Sequence, residues 1–578
     1  MKRFSYIMLV ILVLMSCNID DVITTNLPPQ IILDNSSRVF TTKVDRPLTI
    51  APRYENVADA TYQWSIEGGN YTIDSATQPS LTFETSTQGS YYVTLMVTTD
   101  YGTDEEEMRI DVVEREIPTI SLVGAEQDYT IAVGDKLTFA PVVRETSIPI
   151  TYSWYVDGNK VSDELNYTFI GNEVGEYNLV FVAENEDGSD SVSLTIVVCN
   201  LEDMPFAWSF AQTVYNYAKG RSVCIKPTTI INGTGAVYTW SVDGEIVYES
   251  ESPEWICAID SEGTYQVAAT ATILNGNSQV RVVQELCVNV CPAEGTYYRQ
   301  ASATSSAHWN KVYEYTPAPG QFINETVTGG FDGTETTAEV AVRYAERRFA
   351  EETWISLGGF GGYVVVGFDH SIANGEGYDF AVKGNAFAGS SEPGIVCVMQ
   401  DENGDGLPND TWYELCGSAT NMATTLHDYA ITYYRPGGAG MPVQWVDNVG
   451  NSGEIDYLSQ YHSQDYYYPM WIEASSYTLY GTCIESLAYD KSGNGSYWIL
   501  PEQEWGYADN FSAVDCNRKG DKANNFDIDN AVDYAGNRIS LDYIDFVKVY
   551  TAVNAKCGWI GENSTEVCGF YDCSMVSE

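Results

Sequence analysis

A short acidic segment in the C-terminal half of the chain has the residue types and spacing of a calcium-binding loop. Oxygen-bearing side chains stand at positions 1, 3 and 5, which are Asp401, Asn403 and Asp405, and Gly406 follows at position 6. Alternation lets all three side chains point inward, and glycine permits the sharp turn of such loops around Ca²⁺. Leu407 would add its carbonyl oxygen. We therefore predict a structural calcium site here.

The end of this segment departs from the EF-hand pattern that its beginning resembles. Position 12 is Trp412 where that pattern has glutamate, so Asp410 or Glu414 must close the ligand shell. Dockerin-like and thrombospondin-like calcium loops tolerate such variation. The alternative is a polar β-turn without a metal, connecting strands at 394–399 and 413–415.

Aromatic side chains are dense in the last third of the chain and predict a ligand-binding surface. Exposed rings stack on sugar rings or flat macrocycles, and neighbouring Asn, Asp and Gln side chains add directional hydrogen bonds. For any one ring, the alternative is a place in the core. The candidate ligand-binding residues are Tyr466, Tyr467, Trp471, Trp498 and Trp505.

Signatures of catalysis are weak. The chain has four histidines and no HExxH, GxSxG or His-Cys arrangement. The glycine-rich run at 357–370 continues into β-branched residues and not into a helix, so we interpret its glycines as sites of close backbone packing and not as a phosphate loop. We predict that the protein is not an enzyme. Because a glycosidase needs only two carboxylates, a glycan-acting enzyme is kept as an alternative.

Composition excludes a nucleic-acid partner and indicates packed β-structure. The net charge is −51, whereas phosphate binding needs a basic surface. The 42 tyrosines and 13 tryptophans are too many for a disordered acidic chain. Of 13 cysteines, all but Cys17 fall at Cys199 or later, and an exported chain permits disulfides whose pairing the sequence leaves open. No CxxC pair is present, which argues against zinc.

The first 17 residues predict a lipid anchor. Lys2 and Arg3 precede an apolar run at 7–15, which is the pattern of an export signal. The sequence Leu14-Met15-Ser16-Cys17 resembles the lipobox of bacterial lipoproteins, which implies acylation of Cys17 and attachment to a membrane. The acidic residues that follow resemble the surface-export signal of Bacteroidetes lipoproteins, implying an outer-membrane protein at the cell surface. No later apolar run is long enough for a transmembrane helix.

Two short elements recur in phase three times. Tryptophans 64, 154 and 240 each lie in a Tyr-x-Trp-x-(Ile/Val)-(Glu/Asp)-Gly element, and a Gly-x-Tyr element follows each, ending at tyrosines 91, 177 and 265. Short strands of period two around a central Trp predict Ig-like sandwiches. We interpret these rings as core, and not as ligand platforms. The elements resemble polycystic-kidney-disease-type (PKD) domains, which implies three spacer domains without chemistry of their own.

These patterns predict an all-β protein in which three tandem Ig-like sandwiches precede a larger jelly-roll-like sandwich. In the last part, strand-like runs alternate with Gly- and Asn-rich turns, and only 338–352 and 501–504 suggest helix. The predicted segments are a signal peptide at 1–17, a linker at 18–29, sandwiches at 30–115, 116–199 and 200–291, and a C-terminal ligand-binding domain at 295–578.

Several phrases of the C-terminal part resemble a family of Bacteroidetes cell-surface proteins in which PKD-type repeats carry a C-terminal domain. They lie at 362–372, 384–387, 392–396, 410–415 and 561–567. Members often accompany TonB-dependent uptake systems, including those for corrinoids. The resemblance implies a lipoprotein that captures a corrinoid or a glycan for a neighbouring transporter. An enzyme acting on glycans and an adhesion or structural protein that binds another protein are the alternatives.

Overall fold

The computed structural model describes residues 27–67, 77–125, 127–275 and 278–576. The predicted export signal, Cys17 and most of the predicted linker lie outside these residues. The chain divides into two compact units, Met1–Glu116 and Ile117–Glu578. In the described part of the chain, no helix has both the length and the apolar character needed to cross a bilayer.

The first unit holds one β-sandwich. A sheet of four strands, in the order β2-β8-β7-β5, packs against the strand pairs β1–β4 and β3–β6, and β2 runs parallel to β8. The strands are β1 (Gln30–Ile32), β2 (Val39–Lys43), β3 (Leu48–Ile50), β4 (Arg53–Glu55), β5 (Thr61–Glu67), β6 (Leu81–Phe83), β7 (Gly89–Thr99) and β8 (Gly102–Val113).

The second sandwich repeats this arrangement with one more strand. Its main sheet has the order β10-β17-β16-β13-β14, and β10 runs parallel to β17. The strands are β9 (Ile120–Ser121), β10 (Tyr129–Ala132), β11 (Lys136–Phe139), β12 (Val142–Val143), β13 (Thr151–Val156), β14 (Asn159–Ser162), β15 (Tyr167–Ile170), β16 (Gly175–Asn185) and β17 (Gly188–Cys199).

The third sandwich has the same topology as the second. Its main sheet has the order β19-β26-β25-β22-β23, again with a parallel edge pair, β19 and β26. The strands are β18 (Ala207–Ser209), β19 (Val214–Ala218), β20 (Val223–Ile225), β21 (Thr229–Ile231), β22 (Val237–Val242), β23 (Glu245–Ser250), β24 (Trp255–Cys257), β25 (Gly263–Asn275) and β26 (Ser278–Cys291). The common strand order identifies three Ig-like copies.

The two recurring sequence elements hold each sandwich together. Trp64, Trp154 and Trp240 occupy equivalent strands and are at most 3% exposed, so the prediction that they are core residues is confirmed. Each motif tyrosine donates a hydrogen bond from its hydroxyl to the carbonyl four residues earlier, at 2.9–3.0 Å, which is the tyrosine corner of Ig-like domains. The pairs are Tyr91 with Thr87, Tyr177 with Glu173 and Tyr265 with Ser261.

The C-terminal domain is built on a six-stranded antiparallel sheet in the order β27-β29-β41-β31-β32-β40. Its strands and helix are β27 (Lys311–Thr316), α1 (Ala338–Ala350), β28 (Ile355–Ser356), β29 (Tyr363–Ala373), β30 (Phe380–Lys383), β31 (Gly394–Met399), β32 (Trp412–Leu415), β33 (Leu426–Tyr434), β34 (Val443–Asp447), β35 (Ser452–Ile455), β36 (Ser476–Cys483), β37 (Tyr489–Asp490), β38 (Trp498–Ile499), β39 (Ala523–Phe526), β40 (Ala531–Val532), β41 (Tyr543–Thr551), β42 (Glu566–Val567) and β43 (Gly569–Asp572).

Both faces of this central sheet are covered. On one face, valines of β29, β31 and β41 pack with α1 and with the three-stranded sheet β39-β30-β43. On the other, Ile395 and Tyr550 pack against the four-stranded sheet β35-β34-β33-β36 through Tyr433 and Leu479. The predicted all-β class is confirmed, with the central strands buried on two sides.

The predicted helix at 338–352 corresponds to α1, whereas 501–504 is not helical because Gln503 N–H donates to the Asn510 side chain in a buried loop, at 2.9 Å. At Gly362, a Cβ atom would lie 1.8 Å from the Leu357 carbonyl oxygen and 2.2 Å from Ala318 N. The glycine-rich run therefore lets backbone segments pack closely, as predicted.

The second and third sandwiches both contact the C-terminal domain. Gly437 N–H donates to Ser121 Oγ of the second sandwich at 2.6 Å, and Asn216 of the third donates to the Asn409 carbonyl oxygen at 3.2 Å. Arg221 of the third sandwich donates to the Ser540 carbonyl oxygen at 3.0 Å. These two repeats are thus part of one compact unit with the C-terminal domain, which a spacer role alone does not require.

The cysteines from Cys199 onward, all of which the structure describes, are unpaired. In the described part of the chain, all 12 cysteines from Cys199 to Cys573 are free thiols. Many are enclosed in apolar surroundings, and burial raises the pKa of the Cys397 thiol to about 12. Such thiols stay protonated near neutral pH and are poor nucleophiles.

Candidate ligand-binding site

A pocket of about 300 Å³ opens in the C-terminal domain where the end of β32 meets the end of β39. This volume lies at the lower end of the range for small-molecule sites. The wall combines three aromatic rings with amide and carboxylate side chains. These residues are Tyr378, Trp505, Phe526, Asp515, Asn525, Asp527 and Asn530.

Backbone contacts fix the position of Trp505 in this wall. Ser418 N–H donates to the Trp505 carbonyl oxygen at 3.0 Å, and Gly506 N–H donates to Asp515 Oδ2 at 2.6 Å. Gly506 has a φ of +91°, and a Cβ there would lie 2.5 Å from Gly417 Cα. Glycine is therefore required for this loop to approach the end of β32. The Trp505 ring itself is half-buried, so one part of it is available to a ligand.

Tyr378 forms another part of the wall, just before β30. Its side chain is 45% exposed, and its hydroxyl donates to the Val514 carbonyl oxygen at 3.4 Å. Burial, together with the nearby carboxylates of Asp515 and Asp527, raises the pKa of the Tyr378 hydroxyl. The hydroxyl therefore remains a hydrogen-bond donor at neutral pH.

The polar side of the pocket is organised by a short 3-10 helix, Ile528–Asn530. Asp527 caps this helix, since its Oδ1 accepts a hydrogen bond from Asp529 N–H at 2.9 Å. Asn530 Oδ1 accepts a hydrogen bond from Arg538 Nη1 at 2.7 Å. The side-chain amide nitrogen of Asn530 is then the polar group that it can offer to a ligand. The pocket thus offers ring faces beside donors and acceptors. A ligand with a flat apolar face and a rim of hydroxyl or amide groups matches this chemistry.

Two of the predicted ligand-binding aromatics are core residues, and that prediction is wrong for them. Tyr467 is 1% exposed and Trp471 is 6% exposed. The Tyr467 hydroxyl donates to the His462 carbonyl oxygen at 2.9 Å, and the Trp471 ring packs against Tyr315 and Phe331. Neither ring can stack on a ligand while the domain is folded.

Of the other predicted aromatics, the structure places Trp505 in the pocket. Tyr466 and Trp498 are half-buried and lie outside the pocket wall. Trp498 packs against Gly558. A Cβ atom at Gly558 would lie 2.4 Å from the Trp498 indole nitrogen, so glycine at this position leaves room for the ring. Sequence reasoning missed Tyr378 and Asp527, which are isolated in the sequence and meet Trp505 only through folding.

The predicted calcium loop is the turn between β31 and β32. The Asp401 carboxylate is buried and accepts from Gly404 N–H at 2.8 Å and Gly406 N–H at 3.0 Å. Asn403 Nδ2 donates to Asp405 Oδ2 at 2.9 Å, at the exposed tip of the turn. The oxygen atoms at positions 1, 3 and 5 are therefore engaged by hydrogen bonds from the loop itself.

The remaining predicted metal ligands occupy different surroundings. Leu407 continues the exposed tip, where its N–H donates to Asp405 Oδ1 at 2.8 Å. Asp410 is buried and accepts from Glu402 N–H at 2.9 Å. The structure thus brings Asp410 together with Glu402, a residue that the calcium-loop pattern did not single out.

Glu414 belongs to the core of the domain. Its Oε2 accepts from Thr482 Oγ1 at 2.8 Å and from the Tyr550 hydroxyl at 3.3 Å. The carboxylate therefore points toward β36 and β41, and the structure does not join it with Asp401.

A buried carboxylate cluster, Glu392, Asp509 and Glu566, was also missed by sequence reasoning because its members lie far apart in the chain. One oxygen of each lies within 4.8 Å of the others. The Glu392 and Glu566 carboxyls hydrogen-bond to each other, and Asp509 Oδ1 accepts from two backbone N–H groups. Burial raises the pKa of Glu566 to about 7 and those of Glu392 and Asp509 well above their usual range. The hydrogen bond between the Glu392 and Glu566 carboxyls requires a proton on one of them.

The buried Glu562 predicts that stability falls with rising pH. Its Oε1 accepts from Gln321 N–H at 2.8 Å, its Oε2 has no hydrogen-bond partner among the described residues, and burial raises its pKa to about 8. Because folding raises the pKa of Glu562, the folded state binds this proton more tightly than the unfolded chain does. The resulting contribution to stability is complete below the unfolded pKa of about 4.5 and is lost as pH rises through about 8. We expect the melting temperature in EDTA to fall between pH 5 and pH 8.

The variant Glu562→Gln tests this expectation. It should flatten the pH dependence and raise the melting temperature at pH 8, because a neutral amide replaces a carboxylate that loses its proton there. Glu473→Gln, at an exposed position, is the control and should follow the native chain. Equal pH profiles for both variants in scanning calorimetry would contradict the assignment.

His370 is a buried histidine whose two ring nitrogens both have partners. Its Nδ1 lies 2.7 Å from Asp369 Oδ1, its Nε2 lies 2.9 Å from Asp572 Oδ2, and the residue is 1% exposed. Both ring nitrogens are engaged by carboxylates, one of the buried Asp572 and one of the more exposed Asp369. This arrangement holds β29 against β43 and leaves neither ring nitrogen for a substrate.

Sequence comparison identifies the first two sandwiches as PKD-like domains. The family described as PKD-like domain matches residues 28–99 and 117–185. No curated protein matches the sequence. The third sandwich is recognised as a further copy by its strand order. The chain is therefore a protein of PKD-like and Ig-like repeats.

Several solved structures are similar to the chain. An I-band fragment of titin is 17% identical over 46% of this chain and 99% of its own, with a TM-score of 0.21. Fibronectin(III)-like modules of Clostridium thermocellum CbhA are 16% identical over 32% of this chain and 100% of their own, with a TM-score of 0.16. Immunoglobulin domains 1–5 of Sidekick-1 are 15% identical over 46% of this chain and 59% of theirs, with a TM-score of 0.20.

Proposed function

We propose that this chain is a non-enzymatic cell-surface protein whose C-terminal domain captures a small nutrient ligand. The observation that carries the proposal is the pocket in which the Trp505 and Tyr378 rings stand beside Asp527 and Asn530. Small-molecule sites are concave and place polar groups beside apolar ones, and this pocket sets aromatic rings beside amide and carboxylate side chains.

The chemistry of the wall selects for a class of ligand. The rings accept a flat apolar face, while the carboxylates and amides accept hydrogen bonds from hydroxyl or primary amide groups. Sugars present hydroxyls around a face of C–H groups, and corrinoids present amides around a flat macrocycle. Both belong to this class, and a corrinoid or a glycan is also the ligand that the family resemblance implies.

The place of action follows from the chain's N-terminal sequence. We propose that acylated Cys17 anchors the protein in the outer membrane, with the domains displayed at the cell surface. PKD-like and Ig-like repeats are consistent with an extracellular setting. There the protein would hold its ligand for a neighbouring TonB-dependent transporter.

The polar groups of the pocket favour binding over catalysis. Asp515 uses Oδ2 to accept from Gly506 N–H at 2.6 Å and Oδ1 to accept from Asn524 Nδ2 at 3.1 Å. A carboxylate held in this way supports the pocket wall. Asp527 is likewise committed through one oxygen to its helix cap. A pair of carboxylates poised for glycoside hydrolysis would need to face the scissile bond from two sides.

Isothermal titration of the full chain against a panel of glycans and against cobalamin tests the proposal. We expect saturable binding in one of these two arms, with one site per chain. Heat in neither arm would contradict ligand capture. Release of reducing ends from any panel glycan would contradict the non-enzymatic role and favour the glycan-acting alternative.

A further inference from the structure

The loop between β31 and β32, residues 400–411, lies against the third sandwich. Asn216 of β19 donates through Nδ2 to the Asn409 carbonyl oxygen at 3.2 Å, and Thr411 Oγ1 donates to the Asn216 carbonyl oxygen at 2.9 Å. The two contacts run in opposite directions between the same short segments. The loop is therefore covered on this side by another domain.

Two carboxylates are enclosed at this interface. Glu402 is 4% exposed and Asp410 is 6% exposed, and they are adjacent because Glu402 N–H donates to Asp410 Oδ2 at 2.9 Å. Their other three oxygens, Glu402 Oε1, Glu402 Oε2 and Asp410 Oδ1, are buried and accept no hydrogen bond of ordinary geometry from a described residue. The backbone N–H groups of Ala218 and Thr411 face Glu402, and the Asn216 side chain faces Asp410. Buried polar atoms normally have hydrogen-bond or metal partners. Three unsatisfied carboxylate oxygens in one place therefore indicate that such a partner is missing.

The charges around the pair do not compensate it. The nearest cation is Arg221, whose guanidinium donates to Glu294 at 2.6 Å. The other ionisable groups that face the pair are the Asp401 and Asp405 carboxylates, the Cys291 thiol and the Tyr413 hydroxyl, and none of these can supply positive charge. When both groups are ionised, Glu402 and Asp410 place two negative charges in a region shielded from water, which is unfavourable unless a cation is bound.

A shared proton does not account for the arrangement. Two carboxyls that share a proton must be hydrogen-bonded through their oxygens, as Glu392 and Glu566 are elsewhere in this domain. Among the described residues, Glu402 Oε1 and Oε2 have no such hydrogen bond with the Asp410 carboxyl. The two carboxylate clusters of this domain therefore differ, because only one of them contains a hydrogen bond between carboxyl oxygens.

We propose that a divalent cation of the calcium type binds between Glu402 and Asp410, at the contact between the C-terminal domain and the third sandwich. Carboxylate oxygens are the ligands that Ca²⁺ prefers. The predicted loop ligands Asp401 and Asp405 support the turn through hydrogen bonds, while Glu402 and Asp410 supply the free oxygens. The ion would clamp the two domains together, independently of any ligand in the Trp505 pocket.

Thermal unfolding of the full chain, stripped with EDTA and titrated with CaCl₂ at constant ionic strength, tests this site. We expect the melting temperature to rise and saturate within or below the 10⁻⁴–10⁻³ M range of extracellular calcium modules. Glu402→Gln and Asp410→Asn should each weaken the calcium affinity at least about tenfold. Without calcium, Glu402→Gln should melt no lower than the native chain, which shows that it folds.

Asp405→Asn is the matched control, since it removes a carboxylate of the same loop at the exposed tip. It should keep the full response to calcium. The proposal is overturned if the native chain shows no calcium response up to about 10 mM, above the range of such modules. It is also overturned if Asp405→Asn abolishes the response while Glu402→Gln and Asp410→Asn keep it, or if all three variants keep it.

Discussion

Replacing Trp505 by alanine is expected to weaken ligand binding by at least about 30-fold. This factor corresponds to the loss of about 2 kcal/mol of binding free energy, which is typical when an aromatic ring is removed from a binding site. The ring contributes stacking area, while the loop that carries it is held by backbone hydrogen bonds that the substitution leaves in place. Isothermal titration with whichever panel compound binds the native chain measures the change.

The control for this variant is Trp559→Ala. Trp559 is 46% exposed and lies near Tyr461, outside the pocket. It should leave both affinity and melting temperature close to those of the native chain. If the two tryptophan variants bind equally well, the pocket is not the binding site. Tyr378→Phe adds a finer test, because it removes the hydroxyl donor and keeps the ring.

Replacing Trp154 by alanine is expected to destabilise the second sandwich by about 3–5 kcal/mol, the usual effect of truncating a fully buried large aromatic residue. Trp154 is 0% exposed and packs against Phe139, Tyr167 and Phe181. Its indole N–H donates to the Leu165 carbonyl oxygen at 3.2 Å, so the substitution also leaves that carbonyl without its donor.

Scanning calorimetry of the full chain should show this change as one transition moving to lower temperature. Val174→Ala is the control, since Val174 is 59% exposed in the same sandwich and its truncation should cost less than about 0.5 kcal/mol. An unchanged thermogram for Trp154→Ala would mean that the ring does not hold the sandwich together.

The sandwiches could be predicted from the sequence because their determinants are local and repeated. The Trp of the Tyr-x-Trp element is buried in every copy, and the Tyr of the Gly-x-Tyr element forms the same hydrogen bond in every copy, as Trp240 and Tyr265 show. Three occurrences in phase separate this pattern from chance. The strands of the C-terminal domain were also predictable, since Gly394–Met399 is an apolar run that forms β31 with the same bounds.

The candidate site was predictable only in part. Trp505 was singled out by its aromatic neighbours, but the same composition also marked Tyr467 and Trp471, which are core. Sequence cannot separate these cases, because a domain with two buried sheet faces needs large rings inside as well. Tyr378 and Asp527 lie nearly 150 residues apart in the chain and carry no local signal.

The calcium prediction illustrates a different limit. The loop pattern drew attention to Asp401, Asn403 and Asp405, and the structure shows that these residues hydrogen-bond within the turn. Glu402 stands at a position that the pattern treats as variable and solvated. It is buried because β19 of the third sandwich covers it, and a contact between domains leaves no trace in the loop's own sequence.

The free thiols also limit what cysteine counting can establish. Export permits disulfides but does not require them. In the described residues, Cys257, Cys397 and Cys483 are enclosed in the cores of the third sandwich and the C-terminal domain, where they pack as small apolar side chains.

Hydrogen–deuterium exchange of the full chain, with and without the panel compound that it binds, tests the central claim most directly. Ligand capture at the pocket predicts slower exchange in the peptides that contain Tyr378, Trp505 and Asp527, and no change across residues 461–480. Protection confined to residues 461–480 or to the sandwiches would contradict the claim and place the binding site elsewhere.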